Sequence, residues 1–175
     1  MTFTGDAPAG NLTGLATVGD FNEDGREDIT VGAPNAAPAG NTNVGCAYLI
    51  YGRPDYGTHS LYDIGQLDAT ALAGIKIRGG AAGDLVGTCQ AAAGDFDGDR
   101  FPDWIVSAPG YRLTTDQPTD ARGAVAIDLY GQPFLQGVFN WSDIGTAKLR
   151  GVVSTGEAAT GKAGMSVAGV GDVDG

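Results

Sequence analysis

The chain has 175 residues, a formal net charge of −11, a pI near 4.2 and 42% hydrophobic residues. That apolar content supports a folded core, no apolar run approaches the ~18 residues of a membrane span, and the acidic balance argues against nucleic acid and against anionic membrane surfaces, which take basic faces. All but three of the 21 acidic residues (Glu23, Glu27 and Glu157) are Asp, and Gly fills 30 positions, so the composition favours short strands joined by turns.

Runs rich in Val, Ile, Leu and Tyr, bounded by Gly, Pro and Asp, predict strands near residues 13–18, 29–32, 45–51 and 72–78. A second set falls near 87–93, 104–107, 123–130 and 147–152, and a ninth strand near 164–170. The segments 35–43 and 110–122 carry no apolar period and read as loops. Residues 1–6 show neither a basic stretch nor an apolar core, so no export signal is visible there.

The chain repeats itself. Gly19-Asp20-Phe21-Asn22-Glu23-Asp24-Gly25 leads through Asp28 to Val31-Gly32-Ala33-Pro34, and Gly94-Asp95-Phe96-Asp97-Gly98-Asp99-Arg100 leads through Asp103 to Val106-Ser107-Ala108-Pro109. A third copy, Gly171-Asp172-Val173-Asp174-Gly175, is cut off; its leading Asp follows the earlier ones at spacings of 75 and then 77 residues. Gly45–Gly52 pairs with Gly123–Gly131, Asp63–Gly65 with Asp143–Gly145, and Ile75–Gly79 with Ala147–Gly151. Repeats over approximately 11–79, 86–152 and 163–175, each of four short strands, follow the pattern of β-propeller blades. The expected fold is therefore all-β: two blades of four antiparallel strands and one strand of a larger propeller. Two blades cannot close a ring of at least ~4, so the chain is expected to be part of a longer protein, and either further blades or self-association would cover its open faces.

The Asp loops carry the chemistry. Asp20, Asn22, Asp24 and Asp28 occupy loop positions one, three, five and nine, and Asp95, Asp97, Asp99 and Asp103 repeat that spacing. Alternate residues of a tight loop can converge on one centre, and a hard cation with six to eight oxygen ligands at ~2.3–2.6 Å suits such a set. The backbone carbonyls of Arg26 and Phe101, at position seven, would each add one oxygen, and Asp172 and Asp174 begin a third loop. Ca²⁺ fits this pattern better than octahedral Mg²⁺, and Zn²⁺ is disfavoured by a single His (His59) and only two Cys. Asp-rich turns without an ion are the simpler alternative, but carboxylates grouped this closely repel one another unless a cation joins them. Position twelve holds Val31 and Val106 where an EF-hand has Glu, and strand-like sequence flanks both loops, so no helix–loop–helix is expected.

Together with Gly32-Ala33-Pro34, and with Val86-Gly87 and Ala163-Gly164 at the place of a Phe-Gly pair, these strings resemble the FG-GAP repeat of integrin α-subunit propellers and related bacterial surface proteins. The resemblance covers nearly the whole chain. It implies a seven-bladed propeller with calcium between the first two strands of a blade, and adhesion or protein or glycan recognition. Weak calcium modules of ~10⁻⁴–10⁻³ M would place it in an extracellular, periplasmic or cell-surface compartment, and because no base, nucleophile or open metal site is visible, no enzymatic activity is expected. The alternative is the propeller part of a secreted phospholipase or polysaccharide lyase. Departures from the pattern are Asn11-Leu12 for the first Phe-Gly, Ser107 for a Gly, and Arg100 for the Gly at loop position six. Because that Gly serves a positive φ, strain is expected in the second loop unless Gly98 relieves it, and the first loop is expected to bind calcium at least as tightly.

Other motifs read as structural. Gly156–Ala163 lacks the Ser or Thr that ends a phosphate-binding loop, and Gly164–Ala168 resembles a nucleophile elbow but ends in Ala. Trp104 and Trp141 read as core residues before sugar platforms, and Cys46 and Cys89 fit one disulfide or none.

Overall fold

A computed structural model describes residues 2–4, 11–37, 42–56, 61–67, 72–113, 120–128 and 135–171. The first blade consists of β2 (Thr13–Gly19), β3 (Asp28–Ala33), β4 (Cys46–Ile50) and β6 (Gly74–Arg78), each antiparallel to the next. The second consists of β7 (Gln90–Gly94), β8 (Asp103–Ala108), β9 (Ala124–Asp128) and β11 (Gly151–Thr155), again antiparallel throughout. This is the all-β blade architecture expected from the repeats.

Three short strands were not expected: β1 (Thr2–Thr4), β5 (Leu61–Asp63) and β10 (Gly137–Asn140). β10, from the connection between the last two strands of blade two, adds parallel to the outer strand β6 of blade one. β5, from the same connection of blade one, pairs parallel with β1 in the same manner. Each then enters a short 3-10 helix, Ile64–Gln66 or Trp141–Asp143, capped by Asp63 or Asn140. Consecutive blades are thus joined by main-chain hydrogen bonds as well as by packing.

This arrangement corrects two internal matches. Asp63 is equivalent to Asn140, not to Asp143, because both residues precede the 3-10 turn. The last strand of blade two starts at Gly151, where the match to Ile75–Gly79 ends. Ladder pairing decides the register: the Gly79 amide donates to Gly45 O (3.0 Å) and the Gly156 amide to Gly123 O (3.1 Å), which makes Gly156 the equivalent of Gly79. Leu72 and Leu149 are the buried anchors just before each strand.

Side chains of a strand alternate between faces, and both faces of blade one are covered. Ala47, Leu49 and Tyr51 join Trp104, Val106, Ala108, Ala124 and Ala126 of blade two in one core cluster, while Cys46, Tyr48 and Ile50 pack with Ile64, Leu67 and Leu72 in a second. Trp104 and Trp141 belong to the first cluster, as their core reading expects. The blades approach closely at Gly32 and Gly87, where a Cβ on Gly32 would lie 1.9 Å from Gly87 O. The glycines of the two short motifs therefore meet each other across the blade interface, and any side chain there would force the blades apart.

Residues 164–170 form no strand. The backbone at Gly169 packs against Ala92 of β7, but no ladder partner lies among the described residues. Gly156–Ala163 is a blade-connecting turn, with Gly161 N donating to Ala158 O (3.0 Å) and Ala163 N to Arg122 O (2.8 Å). No disulfide joins Cys46, which is buried, to Cys89, which is partly buried with its thiol donating to Met165 O at 3.2 Å. No helix among the described residues is long and apolar enough to cross a membrane. His59 lies outside the described residues.

Candidate metal centre

Each Asp loop is the hairpin between the first two strands of a blade, so both emerge at the same end of the sheet. In the first, Asp20 accepts from the Asp24 and Gly25 amides at 2.9 and 2.8 Å. In the second, Asp95 accepts from the Gly98 and Arg100 amides at 2.8 and 2.9 Å. Position three closes a small turn in both: Asn22 Oδ1 accepts from Asp24 N (3.3 Å) and Asp97 Oδ1 from Asp99 N (3.1 Å). Position five does the same for position seven, with the Arg26 amide donating to Asp24 (3.0 Å) and the Phe101 amide to Asp99 (2.9 Å). This local hydrogen bonding by Asp and Asn is why the sequence makes a coiled loop here and no longer strand.

Position nine has a separate duty. Asp28 is fully buried, with Oδ2 accepting from Phe21 N (2.8 Å) and Oδ1 from Gly52 N (2.7 Å). Asp103, also fully buried, accepts from Phe96 N at 2.6 Å, and its Oδ1 has no partner among the described residues. The residues equivalent to Gly52, at 130–131, lie outside the described set. Gly52 was missed as a supporting residue. Its signal was present as the Gly that closes Gly45–Gly52 and recurs at Gly131.

The carboxylates of the loops shape the electrostatics. Burial, aided by the charges of Asp97, Asp99 and Asp95, pushes the Asp103 carboxyl up to about 6. Burial raises Asp28 to about 6 as well; the Gly52 and Phe21 amides oppose this and the Asp24 charge adds to it. Carboxylate oxygens of Asp95, Asp97 and Asp99 all lie within 4.8 Å of one another. That span is close to what a cation with bonds of ~2.3–2.6 Å can bridge, and an all-oxygen set suits calcium. The first loop has the same frame with the Asn22 amide in place of one carboxylate. Arg26 lies beside Asp24 (3.7 Å) and Arg150 beside Asp97 (3.5 Å), both in exposed pairs of small energetic weight. Asp172 and Asp174 lie outside the described residues.

Residues 13–50 match the FG-GAP repeat. The chain is 34% identical over 120 residues to the phosphatidylinositol-glycan-specific phospholipase D of Homo sapiens, a match covering 69% of this chain and 13% of that protein. The proteins of the same name from Mus musculus (32% over 108 residues; 62% and 12%) and Bos taurus (35% over 102 residues; 58% and 11%) are similar to it in the same way. The chain thus spans about an eighth of the length of these relatives. The relatives bear the name of an enzyme, which overturns the expectation of a chain without enzymatic association. These 175 residues supply no evident base or nucleophile, but the relatives are several times longer.

Proposed function

We propose that this chain, an FG-GAP-bearing segment of a β-propeller, is calcium-stabilised and forms the propeller part of an extracellular hydrolase similar to the phospholipase D relatives. The observation that carries it is the pair of equivalent Asp loops: Asp95, Asp97 and Asp99 bring their carboxylate oxygens together in the second, and a buried Asp with a raised pKa, Asp28 or Asp103, stands beside each loop. Extracellular calcium modules bind at ~10⁻⁴–10⁻³ M, which suits a compartment rich in the ion. The loops would fix the β2–β3 and β7–β8 hairpins, and so the blade spacing on which recognition of a protein or glycan depends.

A further unit of the same kind would complete the outer face of blade two. Phe21 is fully buried between the blades, while its equivalent Phe96 is 61% exposed and Val152 of β11 is 48% exposed. The edge of β11 corresponds to the edge of β6 that receives β10, so the added unit would contribute a parallel strand there. Alone, the chain would self-associate through this face; a single non-associating species at all concentrations by sedimentation would refute the idea.

Melting in calcium and in chelator tests the main reading. Two sites with Kd of ~10⁻⁴ M at about 1 mM ion give roughly 1.4 kcal/mol each, or a Tm rise of about 5–10 °C. Equal melting in both would refute a calcium role. Cleavage of phosphatidylinositol-glycan by the protein that contains this segment tests the hydrolase reading, and no cleavage with calcium-dependent melting intact would refute that part alone.

A further inference from the structure

The connections after β6 and β8 emerge at the end of the blades opposite the Asp loops, because the strands alternate in direction. Between them opens a cavity of about 270 Å³ whose lining includes Asp84, Tyr111, Arg112, Trp141 and Ser142. That is just under the ~300 Å³ at which ligand pockets usually begin.

Three of these side chains are absent from the equivalent positions of the sister unit, although the backbone is the same. Asp84 N donates to Ala81 O as Gly161 N donates to Ala158 O (3.2 and 3.0 Å), so Asp84 corresponds to Gly161. Tyr111 N donates to Ala108 O as Ala36 N donates to Ala33 O (3.0 and 2.9 Å), and Gly123 N donates to Tyr111 O as Gly45 N donates to Ala36 O (both 3.1 Å). Tyr111 therefore corresponds to Ala36 and Arg112 to Ala37. The fold builds these turns from Gly and Ala, so it does not require the carboxylate, the phenol or the guanidinium.

The polar groups are also incompletely used. Arg112 Nη2 donates to Ala82 O (3.1 Å), but among the described residues its buried Nε–H has no acceptor, and neither has the buried indole N–H of Trp141. Asp84, 3% exposed, accepts from the Gly80 and Ala81 amides through Oδ2 alone (3.0 and 2.8 Å). Buried polar groups are nearly always paired, so two idle donors beside a carboxylate leave places for a ligand that both accepts and donates. Tyr111 and Trp141, with ring centroids 5.9 Å apart, border the same space with apolar surface. Asp84 and the net charge of −11 disfavour an anion.

We propose that this inter-blade cavity binds one neutral hexopyranose unit of a glycan. Hydroxyl oxygens accept from Arg112 and Trp141, a hydroxyl proton is donated to Asp84, and the C–H face of the ring lies against Tyr111.

The test is a titration of the calcium-loaded chain, followed by ¹H–¹⁵N spectra, with the methyl glycosides of glucose, galactose, mannose and N-acetylglucosamine, and with acetate and sulfate as anionic probes. At least one glycoside should shift the Trp141 indole resonance saturably, with Kd in the millimolar range typical of a single small contact (~1 mM). Arg112→Ala and Asp84→Gly borrow the sister unit's residues, so their spectra should remain those of the folded chain while affinity falls at least about tenfold. The proposal is overturned if no glycoside moves that resonance, if acetate or sulfate moves it and the sugars do not, or if both folded variants bind as the unaltered chain does.

Discussion

The two Asp loops share one backbone and place their glycines differently. Position four is Glu23 (φ 56°) in the first and Gly98 (φ 79°) in the second; position six is Gly25 (φ 85°) in the first and Arg100 (φ 78°) in the second. Both loops thus need two residues in the left-handed region, and each supplies one glycine and one side chain that resists it. A non-glycine residue there costs roughly 1–2 kcal/mol. The strain expected in the second loop alone is shared by both, so it no longer ranks the sites. What remains is charge: Asp97 faces the second loop where Asn22 faces the first. Carboxylate count then favours the second loop, since ligand charge tunes calcium affinity.

The largest effects should separate bracing from ligation. Asp28→Ala strands two buried amides, those of Phe21 and Gly52, and should cost about 3 kcal/mol in calcium and in chelator alike, by denaturant midpoint. Asp24→Ala and Asp97→Ala remove groups at the open side of each loop. Each should lose one calcium and about 1.4 kcal/mol at about 1 mM ion, with little change in chelator. A loss for Asp24→Ala that is equal with and without calcium would make the loop only a turn.

Smaller changes sharpen the comparison of strain. Glu23→Gly and Arg100→Gly should each stabilise the apo chain by about 0.5–1 kcal/mol, the relief of a left-handed side chain less the extra entropy of glycine. Equal gains would support strain shared between the loops; a gain at Arg100 alone would restore the one-sided account.

The smallest expected signal is in pH. Asp28 and Asp103 titrate near 6 when folded, above the ordinary 3.8. Over that window the folded apo chain holds protons that the unfolded chain has released, so these groups make it more stable as pH falls from 7 towards 4. Melting curves in chelator should therefore shift upward between pH 7 and pH 5.

The blades were legible in the sequence because a repeated loop pins two strands at once: Asp28–Ala33 and Asp103–Ala108 fall within a residue or so of their expected places. The outer parallel strands were not, since Leu61–Asp63 and Gly137–Asn140 are too short for alternation to show, and their partners belong to the preceding blade or, for Thr2–Thr4, lie far back in the chain. The shifted last strand of blade two has a related cause. Lys148-Leu149-Arg150-Gly151 differs from Lys76-Ile77-Arg78-Gly79 only in Leu for Ile, but the register is fixed by pairing with β9. In the Asp loops, spacing pointed to Asp95, Asp97 and Asp99, whose carboxylates do come together, whereas the buried role of position nine and the left-handed Glu23 depend on backbone geometry that spacing does not carry.

Calcium titration by isothermal calorimetry tests the central claim most directly. The unaltered chain should take up calcium at both complete loops, Asp24→Ala should lose one equivalent, and Asp24→Ala with Asp97→Ala should lose two. Retention of all binding in the double variant, or no heat of binding to the unaltered chain at about 1 mM calcium, would contradict it.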